Sequence, residues 1–200
     1  MEILKSRFFK KNTALVAEKL LGCYLVRQIG NQKLIGRIVE TEAYLGVKDS
    51  CCHSFQNHFT DKTKAMYLEG GFSYVYFTYG MHYCLNVVTG DKTQPEAVLI
   101  RALEPIEGIS KMKKYRKKQN LKDLCSGPGK LCQAFSITKK LNAKKLTKKG
   151  ELFITKGRAV KDKELDSRVG LPLHKDSAYW FLRFYIKNNP HVSVRKNQIC

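Results

Sequence analysis

Acidic residues are scarce in this chain: 17 Asp and Glu stand against 37 Lys and Arg, a formal net charge of +20. That deficit excludes a charge-balanced surface and favours a polyanionic partner, of which nucleic acid is the commonest, without separating DNA from RNA. No apolar run approaches the roughly 20 residues of a spanning helix. The opening MEILKSRFF lacks the apolar core of a secretory signal. No CxxC pair occurs, and the seven cysteines (Cys23, Cys51, Cys52, Cys84, Cys125, Cys132 and Cys200) are an odd number. An intracellular, reducing setting with free thiols is expected, and no membrane association. Cys51, Cys52, His53 and His58 invite a zinc reading, but adjacent cysteines ligate one tetrahedral ion awkwardly. Neither a metal site nor a cofactor is expected. Internal repeats, composition breaks and linkers are also missing. Two hundred residues, 43% hydrophobic and 10% aromatic, suit one globular domain over 1–200.

What is present is organised around Gly36–His53, GRIVETEAYLGVKDSCCH. Its first half alternates as a strand does, which places Leu34, Ile38, Glu40, Glu42 and Tyr44 on one face and Ile35, Arg37, Val39, Thr41 and Ala43 on the other. Residues two apart lie roughly 7 Å apart, so both carboxylates can face one cavity. A carboxylate among apolar residues costs free energy unless it is paired or used. The plain alternative is two salt-bridged acids on an exposed strand.

A second stretch, Ser73–Val88, reads SYVYFTYGMHYCLNVV. Aromatic and β-branched residues on both sides of Tyr79-Gly80 suggest a hairpin. Tyr74 and Tyr83 read as ordinary sheet packing. Tyr79 falls at the tip, and an exposed aromatic there in a basic protein suggests a wedge for stacked bases.

The remaining chain supplies the scaffold. Residues 13–21 read as a helix capped by Thr13 and ended by Gly22, and Cys23–Ile29 as a strand turning at Gly30-Asn31. Asp49–Lys64 is polar and irregular. Ala97–Leu103 reads as a buried strand interrupted by Arg101, a residue that demands an anionic partner and finds one in Glu40 or Glu42. Pro105 predicts the start of a helix running into KMKKYRKK. The basic runs at 111–118 and 139–149 read as solvated faces with a diffuse attraction for phosphate. Ser126–Lys130 precedes an apolar helix and offers Lys130 beside exposed amides, without the Walker A spacing. Glu151–Thr155 and Phe181–Ile186 read as strands, with Arg168-Val169-Gly170 in a loop between them. The fold class is therefore mixed α/β: a curved, largely antiparallel sheet flanked by helices, with a protruding tyrosine hairpin.

RIVETEAYLG, His53 nine residues after Tyr44, YVYFTYGMHYCLNV, VLIRALEP and SGPGKLCQAF occur in that order. In these strings the chain resembles the alkyladenine (3-methyladenine) DNA glycosylases, the purine-excising type, over about 14–194. The resemblance implies a single-domain α/β enzyme that flips alkylated or deaminated purines (3-methyladenine, 7-methylguanine, hypoxanthine) out of duplex DNA and hydrolyses the glycosidic bond. It implies Glu42 as the residue that activates water, with Arg101 and the Val169 carbonyl holding that water. Tyr44, His53 and Tyr76 match the aromatic sandwich for the base, with backbone contacts near Cys51 and His53, and Asn86 stands at the edge where guanine must be refused. Tyr79 matches the intercalating tyrosine, and Gly80, Met81 and Lys130 are expected against DNA. Cys51-Cys52 replaces the small residues of the family pattern. A monomer acting on damaged double-stranded DNA without strand cleavage is expected.

Two other readings stand beside this one. A non-enzymatic RNA- or ribosome-binding protein would show the same charge but needs no carboxylate in an apolar strand. A metal-dependent nuclease needs clustered carboxylates around an ion and would be sensitive to a chelator.

Overall fold

Thirteen residues of one strand, β2, hold the molecule together. The computed structural model describes residues 1–194, so Cys200 lies outside it. Two helices, α1 (Ser6–Phe9) and α2 (Thr13–Leu20), lead into the hairpin of β1 (Tyr24–Ile29) and β2 (Gln32–Tyr44). Next come β3 (Ser73–Thr78), β4 (His82–Thr89) and β5 (Glu96–Glu107), then α3 (Ile109–Arg116), α4 (Lys122–Cys125) and α5 (Pro128–Ala134). The last third contributes β6 (Leu152–Thr155), β7 (Lys163–Ser167) and β8 (Phe181–Ile186). All pair antiparallel in one sheet of order β3-β4-β5-β2-β1-β6. On the side of β2 away from β5, β1 pairs with Gln32–Arg37 and β8 with Glu40–Glu42, and β7 lies outside β8. This fork splits and curls the sheet about β2.

The strict alternation read from the sequence fails at one residue. Against β5, Ile38 pairs with Leu103 and Glu40 with Ala102, so Val39 has no partner, and Arg101 is skipped in turn between Glu40 and Thr41. A bulge shifts which face the following side chains occupy. Leu34 and Ile38 therefore enter the main core together with Val39 and Ala43, while Glu40, Glu42 and Tyr44 face the other side. The carboxylates do not share a face with Leu34 and Ile38, as alternation predicted.

The main core packs α2 (Val16, Ala17, Leu20) and α5 (Leu131, Cys132, Ala134, Phe135) against Leu25, Leu34, Ile38, Leu85, Val87, Val98, Ile100 and Leu103. Each Val, Leu, Ile or Phe side chain among them contributes about 1.5–3 kcal/mol by leaving water. Gly36 lets the strand pack closely here, because a Cβ would lie 3.0 Å from both Leu103 and Phe135 and would press on them. On the opposite face a smaller cluster of Cys52, Ala65, Met66, Tyr74, Val88 and Ala97 supports Tyr44 and Tyr76.

Two local expectations are corrected and one unforeseen strand is added. The cap of α2 is Asn12, whose side chain accepts the Leu15 N–H at 3.2 Å, while Thr13 turns inward to the Thr89 hydroxyl at 2.7 Å and to Glu96. Pro105 does not begin a helix: it lies in β5 opposite Gly36, beside a register shift that accommodates its missing N–H, and α3 starts at Ile109 after Gly108. The polar segment KELDS forms β7, which pairs with β8 alone and tolerates its charges as an edge strand.

Candidate active site

Glu42 has no exposed side-chain surface and is held from three elements. Its Oε1 accepts the Val169 N–H at 2.8 Å and lies 3.3 Å from Arg101 Nη1, while its Oε2 accepts the Tyr44 hydroxyl at 3.0 Å. Burial, then the Glu42 charge, raises the Tyr44 pKa well above its ordinary value, so the phenol keeps its proton and acts as the donor. A carboxylate offers about four lone-pair positions, and the Val169 and Tyr44 hydrogen bonds take one on each oxygen. One remains on Oε2 for a further donor.

Arg101 answers both carboxylates, with Nε 3.2 Å from Glu40 Oε1 and Nη1 near Glu42. Burial works against the guanidinium charge, but the two carboxylates outweigh it and raise its pKa. Glu40 is also fully buried and receives Arg183 Nε at 2.7 Å. Two carboxylates thus face two arginines, a neutral balance that makes their burial tolerable. Of these partners Arg101 was legible in the sequence; the resemblance implied the Val169 carbonyl on the water, whereas the Val169 N–H meets Glu42, and Tyr44 was expected in the base sandwich.

Tyr44, Arg101 and Val169 all line a cavity of about 480 Å³. The same wall includes Cys51, His53, Tyr76, Tyr79 and Asn86, so eight of the expected residues converge on one space. Alternate residues of the sheet face supply it: Tyr74 and Tyr76 from β3, Cys84 and Asn86 from β4, Ala97, Leu99 and Arg101 from β5. Tyr74 is more than sheet packing, because its hydroxyl bonds His53 Nδ1 at 2.8 Å. The His53 ring stands edge-on to Tyr76, with centroids 4.6 Å apart. Burial, aided by Lys62 and Lys175, pulls the His53 pKa down to about 4, so the imidazole is neutral at pH 7. Asn86 is buried and its Nδ2 donates to the Tyr74 carbonyl at 3.2 Å, while the residue still borders the cavity.

The hairpin tip stands at the mouth. Tyr79 and Gly80 both adopt positive φ, 51° and 64°, and the Met81 N–H donates to the Thr78 carbonyl at 3.2 Å. This turn pushes the Tyr79 side chain outward, where it is 81% exposed, and Met81 follows at 69%. Met81 borders a second hollow of about 370 Å³ beside α5 rather than the first cavity. Lys130 is exposed on α5, with Nζ 3.4 Å from Ser126 Oγ, and Pro128 at the start of that helix reaches the main cavity.

Sequence reasoning missed the pair that fixes the cavity's outer loop. Arg168 and Asp49 have no exposed side-chain surface and form a two-pronged ion pair, with Nη2 to Oδ1 at 2.9 Å. Arg168 also donates to the carbonyls of Ala43 (3.0 Å) and Ser177 (2.8 Å) and lies 4.6 Å over the Tyr44 ring. Asp49 in turn accepts the N–H groups of Leu45 and Cys51 at 3.1 and 3.0 Å. The 119 residues between the partners hide the pair from any local motif. Cys84 and Lys175, also on the cavity wall, gave no sequence signal beyond their residue type. Cys52 is buried in the small core, with Sγ 3.2 Å from Ser54 Oγ, and also borders the cavity. Among the described residues, no group of three or more His, Cys, Asp or Glu is gathered as a metal site would need, and no helix is long and apolar enough to cross a membrane.

Comparison with known proteins meets this geometry from a separate direction. A model of the methylpurine-DNA glycosylase (MPG) family matches residues 7–190. A protein of Carboxydothermus hydrogenoformans is 46% identical over 195 residues, covering 96% of this chain and 100% of its own. One from Francisella tularensis subsp. tularensis is 50% identical over 183 residues, 90% of this chain and 92% of its own. A third, from Bdellovibrio bacteriovorus, is 44% identical over 197 residues, 96% and 100% of the two chains. All three bear the name "Putative 3-methyladenine DNA glycosylase". With the family match running from α1 past β8, this chain belongs to the methylpurine-DNA glycosylase family.

Proposed function

We propose that the protein excises damaged purines from double-stranded DNA, working as an intracellular monomer, by hydrolysing the bond between the base and C1′. The observation that carries this reading is Glu42: a buried carboxylate, paired with Arg101, set behind an aromatic cavity whose mouth bears the exposed Tyr79. An enzyme acting on a base in a duplex must extrude the nucleotide at a cost of a few kcal/mol. Tyr79 fills the vacated place in the stack and opposes return of the base. Gly80, Met81 and Lys130 meet the backbone around it, and the surplus of basic charge supplies the long-range attraction.

In the cavity the base lies among Tyr44, His53 and Tyr76. Alkylation at N3 or N7 leaves the ring positive, and aromatic faces stabilise such a cation. A neutral His53 suits that role, since an imidazolium would repel the substrate. The backbone near Cys51 and His53 serves neutral lesions such as hypoxanthine.

A water bound at the free position of Glu42 Oε2, and held by Arg101 and the Val169 carbonyl, gives its proton to the carboxylate and attacks C1′. The C1′–N bond breaks and its electron pair leaves with the purine, which neutralises an alkylated ring. Neutral purines additionally need a proton on the leaving base. With water rather than an amine as the nucleophile, the product is an abasic site in an intact strand. An RNA- or ribosome-binding role resting on charge alone would leave the buried Glu42–Arg101 pair without purpose.

The test is one duplex carrying a single hypoxanthine, or 3-methyladenine in a parallel sample, incubated with protein and then heated in alkali. Strand scission at the lesion only after alkali is the expected result. Scission without alkali, or none with either lesion, overturns the reading.

A further inference from the structure

The segment after β8 comes back across the buried face of β2. Val192 packs into the main core, and the His191 N–H is clipped to Asn189 Oδ1 at 2.9 Å. Ser193 then meets the charge network at three points. Its N–H donates to Glu40 Oε2 at 2.7 Å, its hydroxyl donates to Glu40 Oε1 at 3.0 Å, and the same Oγ accepts Arg101 Nε at 3.1 Å. Arg183, with 1% side-chain exposure, closes the far side by donating to Glu40 and to the Val194 carbonyl.

The consequence lies in the shape of a guanidinium. It is planar and rigid, so fixing Nε fixes the direction of both terminal nitrogens. Arg101 sits at the skipped position of β5, where the ladder does not constrain its backbone. Its aim toward Glu42, at 3.3 Å from Nη1, is therefore set by what holds Nε. Its single N–H donates to Ser193 Oγ at 3.1 Å, with Glu40 Oε1 in ion-pair contact at 3.2 Å. The serine hydroxyl also ties that same carboxylate oxygen in place.

We propose that Ser193 is a positioning residue for the excision reaction, its hydroxyl locking the Glu40–Arg101 pair so that Arg101 points at Glu42 and the attacking water. The proposal rests on the assignment of Glu42 as the activating base. Ser193 does not border the cavity, so its removal acts on the chemical step and leaves lesion binding in place.

Threonine and valine have nearly the same volume and differ by the hydroxyl, which makes Ser193→Thr and Ser193→Val the decisive pair. Single-turnover excision and lesion-duplex Kd are measured for both and for Ser193→Ala, with melting temperatures alongside and assays run well below them. Misdirection of a positioned group by a fraction of an ångström costs about 10- to 100-fold in rate. The expected result is that loss in Ser193→Val and Ser193→Ala, an unchanged Kd, and a rate close to the unmodified protein's in Ser193→Thr. Wild-type rates in the two variants lacking the hydroxyl overturn the proposal. So does an equal loss in Ser193→Thr, because the effect then follows packing rather than the hydroxyl. Glu42→Gln in the same series separates the two claims: full activity there defeats the function proposed for Glu42, whereas an inactive Glu42→Gln with a fully active Ser193→Val defeats only the role of Ser193.

Discussion

Replacing Asp49 by asparagine keeps the shape of the loop anchor and removes its charge, which leaves the Arg168 guanidinium buried without a counter-ion. Both side chains are 0% exposed, so solvent offers no substitute. Breaking a buried pair from one side costs about 3–5 kcal/mol, against a net worth near zero for the intact pair relative to an apolar replacement. At about 2–4 °C per kcal/mol for a chain of this size, the melting temperature of Asp49→Asn falls by roughly 6–20 °C. Denaturant unfolding of Asp49→Asn, Arg168→Met and the double variant gives the coupling directly, and the double variant is expected to be less damaged than the two single losses summed. The sign with pH follows from the carboxyl. Burial opposes its ionisation, but the hydrogen bonds and charge of Arg168 prevail and hold its pKa below the ordinary carboxylate value. As pH falls, the unfolded chain takes up this proton first, so the stabilisation is fully present above about pH 4 and is lost as pH falls through the folded value. The stability gap between wild type and Asp49→Asn therefore stays constant from neutral pH to about pH 5 and closes below pH 4. Excision falls as well, because Arg168 precedes the Val169 amide that holds Glu42. A loss under about 1 kcal/mol, or additive single effects, would refute this reasoning.

Three further outcomes follow from the same geometry. Tyr79→Ser should lose most excision from duplex DNA while its melting temperature barely moves, since the side chain is 81% exposed; unfolding would instead mark Tyr79 as structural. Asn86→Ser should raise release of unmodified guanine relative to hypoxanthine, because an unpaired 2-amino group is refused at a cost of about 1–3 kcal/mol; an unchanged ratio in a folded variant removes Asn86 as the gate. Affinity for undamaged duplex should fall steeply with salt, by roughly 0.9 in log–log slope per neutralised phosphate; a flat dependence in filter binding would mean that the basic surface does not carry DNA.

The sequence disclosed this protein unevenly, and the physical causes are specific. The strand carrying Glu42 and the tyrosine hairpin were legible because period-two patterning and a Tyr-Gly turn are local signals. Arg101 was legible because arginine in an apolar strand demands a carboxylate, and it found both Glu40 and Glu42. The bulge at Val39 was not, because one unpaired residue changes the face of its neighbours without altering composition. Pro105 misled for the complementary reason: proline fits a helix start and a register shift equally well, and only the partner strand decides. Asp49–Arg168 and the Ser193 contacts join residues 119 and 92 or more positions apart, and no short motif encodes such closures. Family resemblance located residues that line the cavity, whereas the supports behind them came from the three-dimensional arrangement.

Glu42→Gln measured under single turnover bears most directly on the central claim. The amide preserves the side-chain shape but cannot accept the proton of water, and a positioned general base is worth about 10²–10⁴ in rate. Excision of hypoxanthine or 3-methyladenine from duplex DNA should fall by at least about a hundredfold, with affinity for the lesion duplex retained. A folded Glu42→Gln protein that still excises within about tenfold of the wild-type rate would contradict the account, because the water would then be activated elsewhere.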